Sequence, residues 1–384
     1  MLTMNTALLV GPYDWDEALL PRAEFDARVA AATKMTAQRA HIGLVIHGAA
    51  EENGALAYLT GFTPKLGSGF ALVAPGKPIR IICPGSSHMM ESAKRLTWVE
   101  DLKPLRDVGK DIADWVGEIG ATGNGPASLG LWGGASMAGG MYGRIAGALK
   151  DVARLEEADI PFDSLRRKKS PRERELMRRA ASILATAVAA LAKGKKDGLS
   201  VRAAAIEAQR AAYALGAQDA RVLASASPGG PPLPLDGIED RKPDPLLAYV
   251  TVRFAGYWAD GHVTLADKPN GAMGKTAEAL AALIAAAKPG ASGNDLAGIG
   301  AAKLGSAYRR HKALPAGIGN SIGLSLVESP DLNEDREARL EEGGVYSLKL
   351  GASGEGADNA LASALIAVEN GKAGVLWAGS GRAH

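Results

Sequence analysis

The chain has 384 residues, 47% apolar and 22% charged, with a formal net charge of +2. That is long for one core and suits two domains, and the near-neutral charge gives no electrostatic case for a nucleic acid or a membrane surface as partner. The single cysteine, Cys83, excludes an internal disulfide and a cysteine metal cluster, in keeping with a cytoplasmic location.

The N-terminus has no basic n-region, and Gly11, Pro12 and several acids break its apolar run, so no signal peptide is read there. Lys and Arg interrupt the alanine-rich stretches before ~20 apolar residues accumulate, so no membrane span is expected. "EFDARVAAATKMTAQRAH" has helical spacing, "IGLVIHG" and "LAYLTGF" read as short apolar strands, and "GFALVAPGKPIRIICPG" reads as two strands joined by a Pro/Gly/Lys turn. A helical stretch from Ser87 to Arg95, a helix in "VGKDIADWVGEIGA", a strand at "ASLGLWGG" and a helix at "GRIAGALKDVARLEEA" follow. Residues 1–162 are therefore expected to form an α/β domain of ordinary size.

A second domain, 163–384, opens with a long helix. Ser170, Pro171 and Glu173 supply an N-cap, a proline at the first helical position and the reciprocal acid of a capping box. Another helix starts at Ser200, and "ASASPGGPPLPLDG" after it is a loop. In "LLAYVTVRFAGYW" the period of two sets Val250, Val252 and Phe254 against Tyr249, Thr251 and Arg253. Two helices follow, then strands at "GGVYSLKLG" and "ALASALIAVENGKAGVLWAG", with a hairpin at Asn370-Gly371. This half reads as α+β.

The order of motifs resembles the creatinase, aminopeptidase P and prolidase superfamily over nearly the whole chain. "LAYLTGF" is similar to its N-domain signature, "LRRKKSPRERELMRRAA" to its interdomain helix and "GYWADGHVT" to its second metal-binding aspartate segment. "AAKPGASGNDL" matches a helix end, "GIGNSIGLSLVESP" the Gly-His-Gly-x-Gly…His-Glu-x-Pro segment, and "LEEGGVYSLKLG" the Glu-Glu-Gly-Met…Glu-Pro-Gly strand. The resemblance implies a creatinase/prolidase-like N-terminal domain followed by a pita-bread C-terminal domain.

It also implies a site for two dications, held by two aspartates, a histidine and two glutamates. Asp260 matches the second aspartate, but Tyr249, Asn320, Lys349 and Ala362 stand at the other four positions, and Val327 replaces the histidine of His-Glu-x-Pro. One carboxylate cannot hold two dications, and an ammonium at 349 repels them. No metal and no cofactor are expected, and Lys349 is expected to contact Asp260. Creatinase works without metal through a histidine, whose counterpart here is Leu233, so that chemistry is not carried over either.

The candidate catalytic residues are thus Asp260, His262, Glu328 and Lys349. His262 is a candidate general base two residues from Asp260, with an exposed turn residue as the alternative. Glu328 either transfers a proton or pairs with Lys349. Lys349 acts as base or nucleophile, or fills an abandoned site as a counter-ion. Candidate substrate contacts are Tyr249 and Arg253, which together suit a carboxylate unless Arg253 faces solvent, with Asn320 and His88. His41 and His47 are assigned structural roles, and the basic run "RRKKSPRERELMRR" is read as a solvated face.

The function expected is a metal-independent, creatinase-like enzyme cleaving a C–N bond in a small polar substrate. A non-catalytic binding or scaffold protein is the alternative, and an Xaa-Pro peptidase with relocated ligands is a weaker one. By the resemblance a homodimer is expected, in which Phe62 and Lys65 of one copy close the site of the other.

Overall fold

The computed structural model describes residues 10–120 and 127–379. Residues 1–9, on which part of the signal-peptide reading rests, lie outside that range. The chain divides into two compact units, Met1–Arg166 and Arg167–His384.

The first unit holds α1 (Arg22–Gln38), β1 (Gly43–Ala49), α2 (Gly54–Thr60), β2 (Ser68–Val73), β3 (Arg80–Cys83), α3 (Met90–Ala93), β4 (Asp101–Pro104), α4 (Val108–Glu118), β5 (Ala127–Trp132), α5 (Gly139–Leu149), β6 (Ala153–Glu157) and α6 (Asp159–Arg167). Its strands form one sheet in the order β4-β3-β2-β1-β5-β6. The central β1 pairs antiparallel with β2 and parallel with β5, which makes the sheet mixed. Trp115, Ile112 and Val116 of α4 pack with Leu72, Leu129 and Leu131 of the sheet as a core.

Two elements differ from the sequence reading. "LAYLTGF" is not a strand: α2 runs through it, and Gly61 ends the helix at φ +70°. All seven residues of α2 are buried, and a short apolar run buried all round has no polar face to reveal its period. The helix read through "GRIAGALKDVARLEEA" stops at Leu149, and Ala153–Glu157 adds the parallel edge strand β6 instead. There the order Ala-Arg-Leu-Glu-Glu fits a strand edge as well as a helix turn, and tertiary pairing decides.

The second unit begins with α7 (Pro171–Lys196) and α8 (Val201–Ala214), followed by β7 (Asp219–Ser225), β8 (Pro232–Leu233), β9 (Leu246–Phe254) and β10 (Tyr257–Leu265). Then come α9 (Gly271–Ala286), α10 (Gly293–Leu304), β11 (Arg309–Arg310), β12 (Gly319–Ser321), β13 (Val345–Ser353), β14 (Asn359–Glu369) and β15 (Lys372–Ala378). The capping box starts α7: Ser170 Oγ accepts from the Glu173 amide at 3.1 Å, and Glu173 accepts from the Ser170 amide at 2.9 Å. One antiparallel sheet runs β10-β9-β7-β8, the other β11-β13-β14-β15 with β12 added to β13.

Alternation on β13 and β14 decides which residues reach the site. Leu348, Leu350, Ala362 and Ile366 join Leu280, Leu283 and Leu296 from α9 and α10 in a core, so the intervening Ser347, Lys349 and Ser363 belong to the other face. The two-residue turns at Ala255-Gly256 and Asn370-Gly371 have positive φ throughout and fix the register of their hairpins.

Candidate functional site

Asp260 lies in the middle of β10, opposite Thr251, and is fully buried. The next pair on the same face is His262 opposite Tyr249. Lys349 Nζ is 3.0 Å from Asp260 Oδ2, and the Tyr249 hydroxyl donates to the same oxygen at 2.9 Å. Lys349 also donates to Asn320 Oδ1 at 2.9 Å, while the Asn320 amide nitrogen donates to the carbonyls of Ser321 and Leu326 at 2.7 and 2.9 Å. Asn320 is thus held by backbone on one end and holds the ammonium with the other.

The glycines of "GIGNSIG" make this placement possible. A Cβ on Gly319, whose φ is +144°, would come 1.9 Å from the Ser347 carbonyl oxygen, and one on Gly317 would come 2.1 Å from Asn333 Cα. Backbone passes so close here that only glycine fits.

The electrostatics follow from burial and one cation. Burial alone would push the Asp260 pKa up, but the Lys349 ammonium, with help from the Ser347 hydroxyl, holds it below the usual carboxylate value. Burial and the adjacent Asp260 charge hold the Tyr249 phenol protonated, well above its ordinary pKa. His262 is pushed down to about 3, first by burial and then by Lys349, so its ring is neutral at physiological pH. Its ring lies against Tyr249, tilted by 34° with centroids 4.4 Å apart, and its backbone amide donates to Ser363 Oγ at 2.7 Å. At 8% exposure in mid-strand it is not a turn residue.

Several sequence-based assignments change. Glu328 does not pair with Lys349: its Oε2 is 2.6 Å from Lys169 Nζ, and its Oε1 accepts from the Ser325 amide at 3.1 Å. Lys169 lies in the run read as a solvated face, yet it is 3% exposed. Arg174 and Arg178 in that run both pair with Glu369, so much of the run is structural. Arg253 faces neither solvent nor Tyr249. It is 6% exposed, donates from Nε to the Gly256 carbonyl at 3.1 Å and lies 5.6 Å from the Trp258 ring centroid. Four residues of strand, about 13 Å, separate it from Tyr249, whose hydroxyl is already given to Asp260.

Ala362 sits in the outer core, and the residue facing Lys349 across the strands is Ser363. Leu233 is 43% exposed on β8. In the first unit, Phe62 is wholly buried and offers no surface for a ligand. Lys65 and His88 lie at that unit's surface, the His88 ring 2.9 Å from Ser86 Oγ. Sequence reading missed Lys169, Ser347, Thr251, Ser363 and His311. His311 is 2% exposed, accepts from the Ala313 amide at 3.1 Å, and contributes to keeping His262 neutral. Alternation on β13 pointed at Ser347 beside Lys349, but nothing local marked Lys169 or His311.

The residues present do not fit a pair of dications. The donor set around Asp260 is one carboxylate, a phenol kept protonated and an amide oxygen already accepting from an ammonium, with that ammonium itself in the centre. Among the described residues, no group of three or more His, Cys, Asp or Glu is placed to hold a metal ion.

A unit of two antiparallel sheets with helices packed against them is the architecture of the pita-bread fold. Residues 175–371 match the model of metallopeptidase family M24, and the chain belongs to that family. Its fold is similar to the prolidase from Pyrococcus horikoshii OT3, at 18% identity, TM-score 0.71, covering 91% of this chain and 97% of that one. It is also similar to the Xaa-Pro dipeptidase from Bacillus anthracis (17%, TM-score 0.73, 92% and 97%) and to dipeptidase PepE from Mycobacterium ulcerans (21%, TM-score 0.73, 94% and 97%). No curated protein sequence matches the chain. Both units of the expected fold, the N-terminal α/β domain and the pita-bread domain, are shared with these enzymes. Among the described residues no helix is long and apolar enough to cross a membrane.

Proposed function

We propose that this chain is a metal-independent member of its family whose pit takes a small polar molecule. The observation that carries this reading is the buried Lys349 ammonium, 3.0 Å from the fully buried Asp260. It supplies the positive charge a metal would bring, and it repels any dication that approaches. Two buried polar atoms support a polar ligand: Thr251 Oγ1 and His262 Nδ1 have no hydrogen-bond partner among the described residues. Buried polar groups are nearly always paired, and a small polar substrate gives these atoms their partners.

In the catalytic reading His262, kept neutral, takes or returns a proton at Nδ1, while the Asp260–Lys349 pair holds the charge that develops. The reaction class, by resemblance to creatinase, is cleavage of a C–N bond in an amide, amidine or amino-acid derivative. A second reading, binding without turnover, is favoured by the commitment of Glu328 to Lys169, which leaves the pit one carboxylate poorer in proton chemistry. A homodimer in the cytoplasm, with Lys65 of one copy near the ligand of the other, belongs to the same proposal, and gel filtration tests the dimer.

The deciding experiment is metal analysis of the purified protein together with assays on Xaa-Pro dipeptides and on N-substituted amino acids, with chelator and with added Mn2+ or Co2+. Stoichiometric metal with metal-stimulated Xaa-Pro hydrolysis would overturn the proposal. Turnover that survives chelator and is lost in His262→Gln supports the enzyme. Saturable binding with no product supports the second reading.

A further inference from the structure

The chain holds four Asn-Gly steps, at Asn53, Asn124, Asn270 and Asn370, of which Asn124 lies outside the described residues. Such a step is chemically labile, because a glycine nitrogen with no side chain beside it is open to the preceding side-chain amide carbon. Asn53 is 6% exposed, and its Nδ2 donates to the carbonyls of Ala49 and Ala50 at 3.3 and 3.0 Å. Asn270 caps α9, where its Oδ1 accepts from the Met273 amide at 2.8 Å and its Nδ2 donates to the Asn359 carbonyl at 3.4 Å. Both side chains are tied down.

Asn370 differs. It is exposed, and its side-chain amide makes no hydrogen bond among the described residues. What holds this step is a carboxylate from another segment: Glu342 accepts from the Asn370 backbone N–H through Oε1 at 2.6 Å and from the Gly371 N–H through Oε2 at 3.1 Å. Backbone bonds bring Glu342 there, since Gly343 donates to the Val368 carbonyl at 2.8 Å and Val368 donates to the Gly344 carbonyl at 2.9 Å. The hairpin turn, with φ of +55° and +75°, points two successive N–H groups at that one carboxylate.

Deamidation of an Asn-Gly step begins at the glycine nitrogen. Hydroxide takes the N–H proton, the nitrogen bonds to the asparagine Cγ, the Cγ–Nδ2 bond breaks, and the departing nitrogen leaves as ammonia with a proton from water. Water then opens the succinimide at either carbonyl, giving aspartate or isoaspartate. Glu342 opposes the first step twice: it accepts the N–H whose proton must leave, and its charge lies beside the nitrogen that must become an anion. We propose that Asn370 is a site of spontaneous conversion to isoaspartate and that Glu342 is the residue that guards it. The product carries the main chain through one added methylene, so the two-residue turn that sets β14 against β15 is lost.

The test is ageing of the full-length protein, Glu342→Gln and Glu342→Ala in mildly alkaline buffer at body temperature. Peptide mapping by mass spectrometry follows the mass gain of amide-to-acid conversion at each Asn-Gly step, and fragmentation separates isoaspartate from aspartate. We expect Asn370 to convert about tenfold faster in Glu342→Ala than in the unaltered protein, the effect of losing one hydrogen bond to a charged group. Glu342→Gln, which keeps an acceptor and loses the charge, should fall between them. Asn53 and Asn270 serve as internal controls of the fold, and their rates should be the same in all three proteins. An equal rate at Asn370 with and without Glu342 would overturn the proposal. A slower rate in Glu342→Ala would overturn it too, by making Glu342 a promoter of the reaction. So would a matching rise at Asn53 and Asn270, which would mean that the fold as a whole protects these steps.

Discussion

The second unit buries two lysine–carboxylate pairs, and they differ in what surrounds them. Lys169 and Glu328 are 2.6 Å apart with side chains 2% and 4% exposed, and Glu328 is further fixed by the Ser325 amide. They join the segment before α7 to the loop after β12, and a Cβ on Gly323 would strike both side chains. Lys349 and Asp260 are 3.0 Å apart on facing strands, and the atoms around them include two buried polar groups, Thr251 Oγ1 and His262 Nδ1, without partners among the described residues. A pair enclosed by close packing serves the fold. A pair bordered by unsatisfied donors and acceptors is arranged for something besides the fold.

The contrast can be broken by removing each cation in turn. Lys169→Met leaves Glu328 charged and enclosed and should cost ~3–5 kcal/mol, the usual penalty for breaking a buried pair from one side, measured by urea unfolding. Ligand binding in the pit should change little in the fraction that folds. Lys349→Met should cost less, ~3 kcal/mol, because the Tyr249 hydroxyl still donates to Asp260, but it should abolish ligand binding or turnover. Equal functional loss in both variants would erase the distinction.

A smaller effect comes from pH. In the unfolded chain His262 takes up a proton below its ordinary pKa of 6.5, whereas in the folded chain it does so only near 3. Between those values the unfolded state binds more protons, so stability falls as pH falls, by about 1.4 kcal/mol per pH unit for this one group. Asp260 has a lowered folded pKa, so its contribution is whole above the ordinary value of 3.8 and is lost as pH drops below it. His41, His47 and His311 are lowered too. The His262 share is therefore read as the difference in slope between the protein and His262→Gln, and no difference would mean that His262 is not buried neutral. Of similar size is Tyr249→Phe, which removes one hydroxyl given to a charged acceptor and should cost ~1.5–3 kcal/mol. Its effect should be absent when Asp260 is already replaced by Asn, a double-mutant cycle that measures their coupling.

The pattern of replacements was legible because it is linear. Period-two alternation in "VYSLKLG" put Lys349 on a defined face, and eleven residues of hairpin put Tyr249 near Asp260. The same reasoning failed at Ala362, where counting back from Asn370-Gly371 lands on the outer face and the ladder sets Ser363 opposite Lys349. A shift of one residue exchanges the two faces of a strand, and the irregularity between Leu365 and Ile366 lies between the hairpin and the site. "LAYLTGF" failed for a different reason, since complete burial removes the amphipathic signal that separates helix from strand.

What the sequence determined by itself was the family order of motifs, the capping box at Ser170, the hairpin turns and the replacement of metal ligands by Tyr249, Asn320 and Lys349. Each depends on residue type or on spacing within one element, and such information is local. Tertiary structure alone decided that Lys169, hidden in a basic run, belongs to Glu328, that Arg253 turns to Trp258, and that His262 is dry and neutral. The first depends on surfaces that meet across 159 residues of chain, and for His262 burial then sets the charge of the group it encloses.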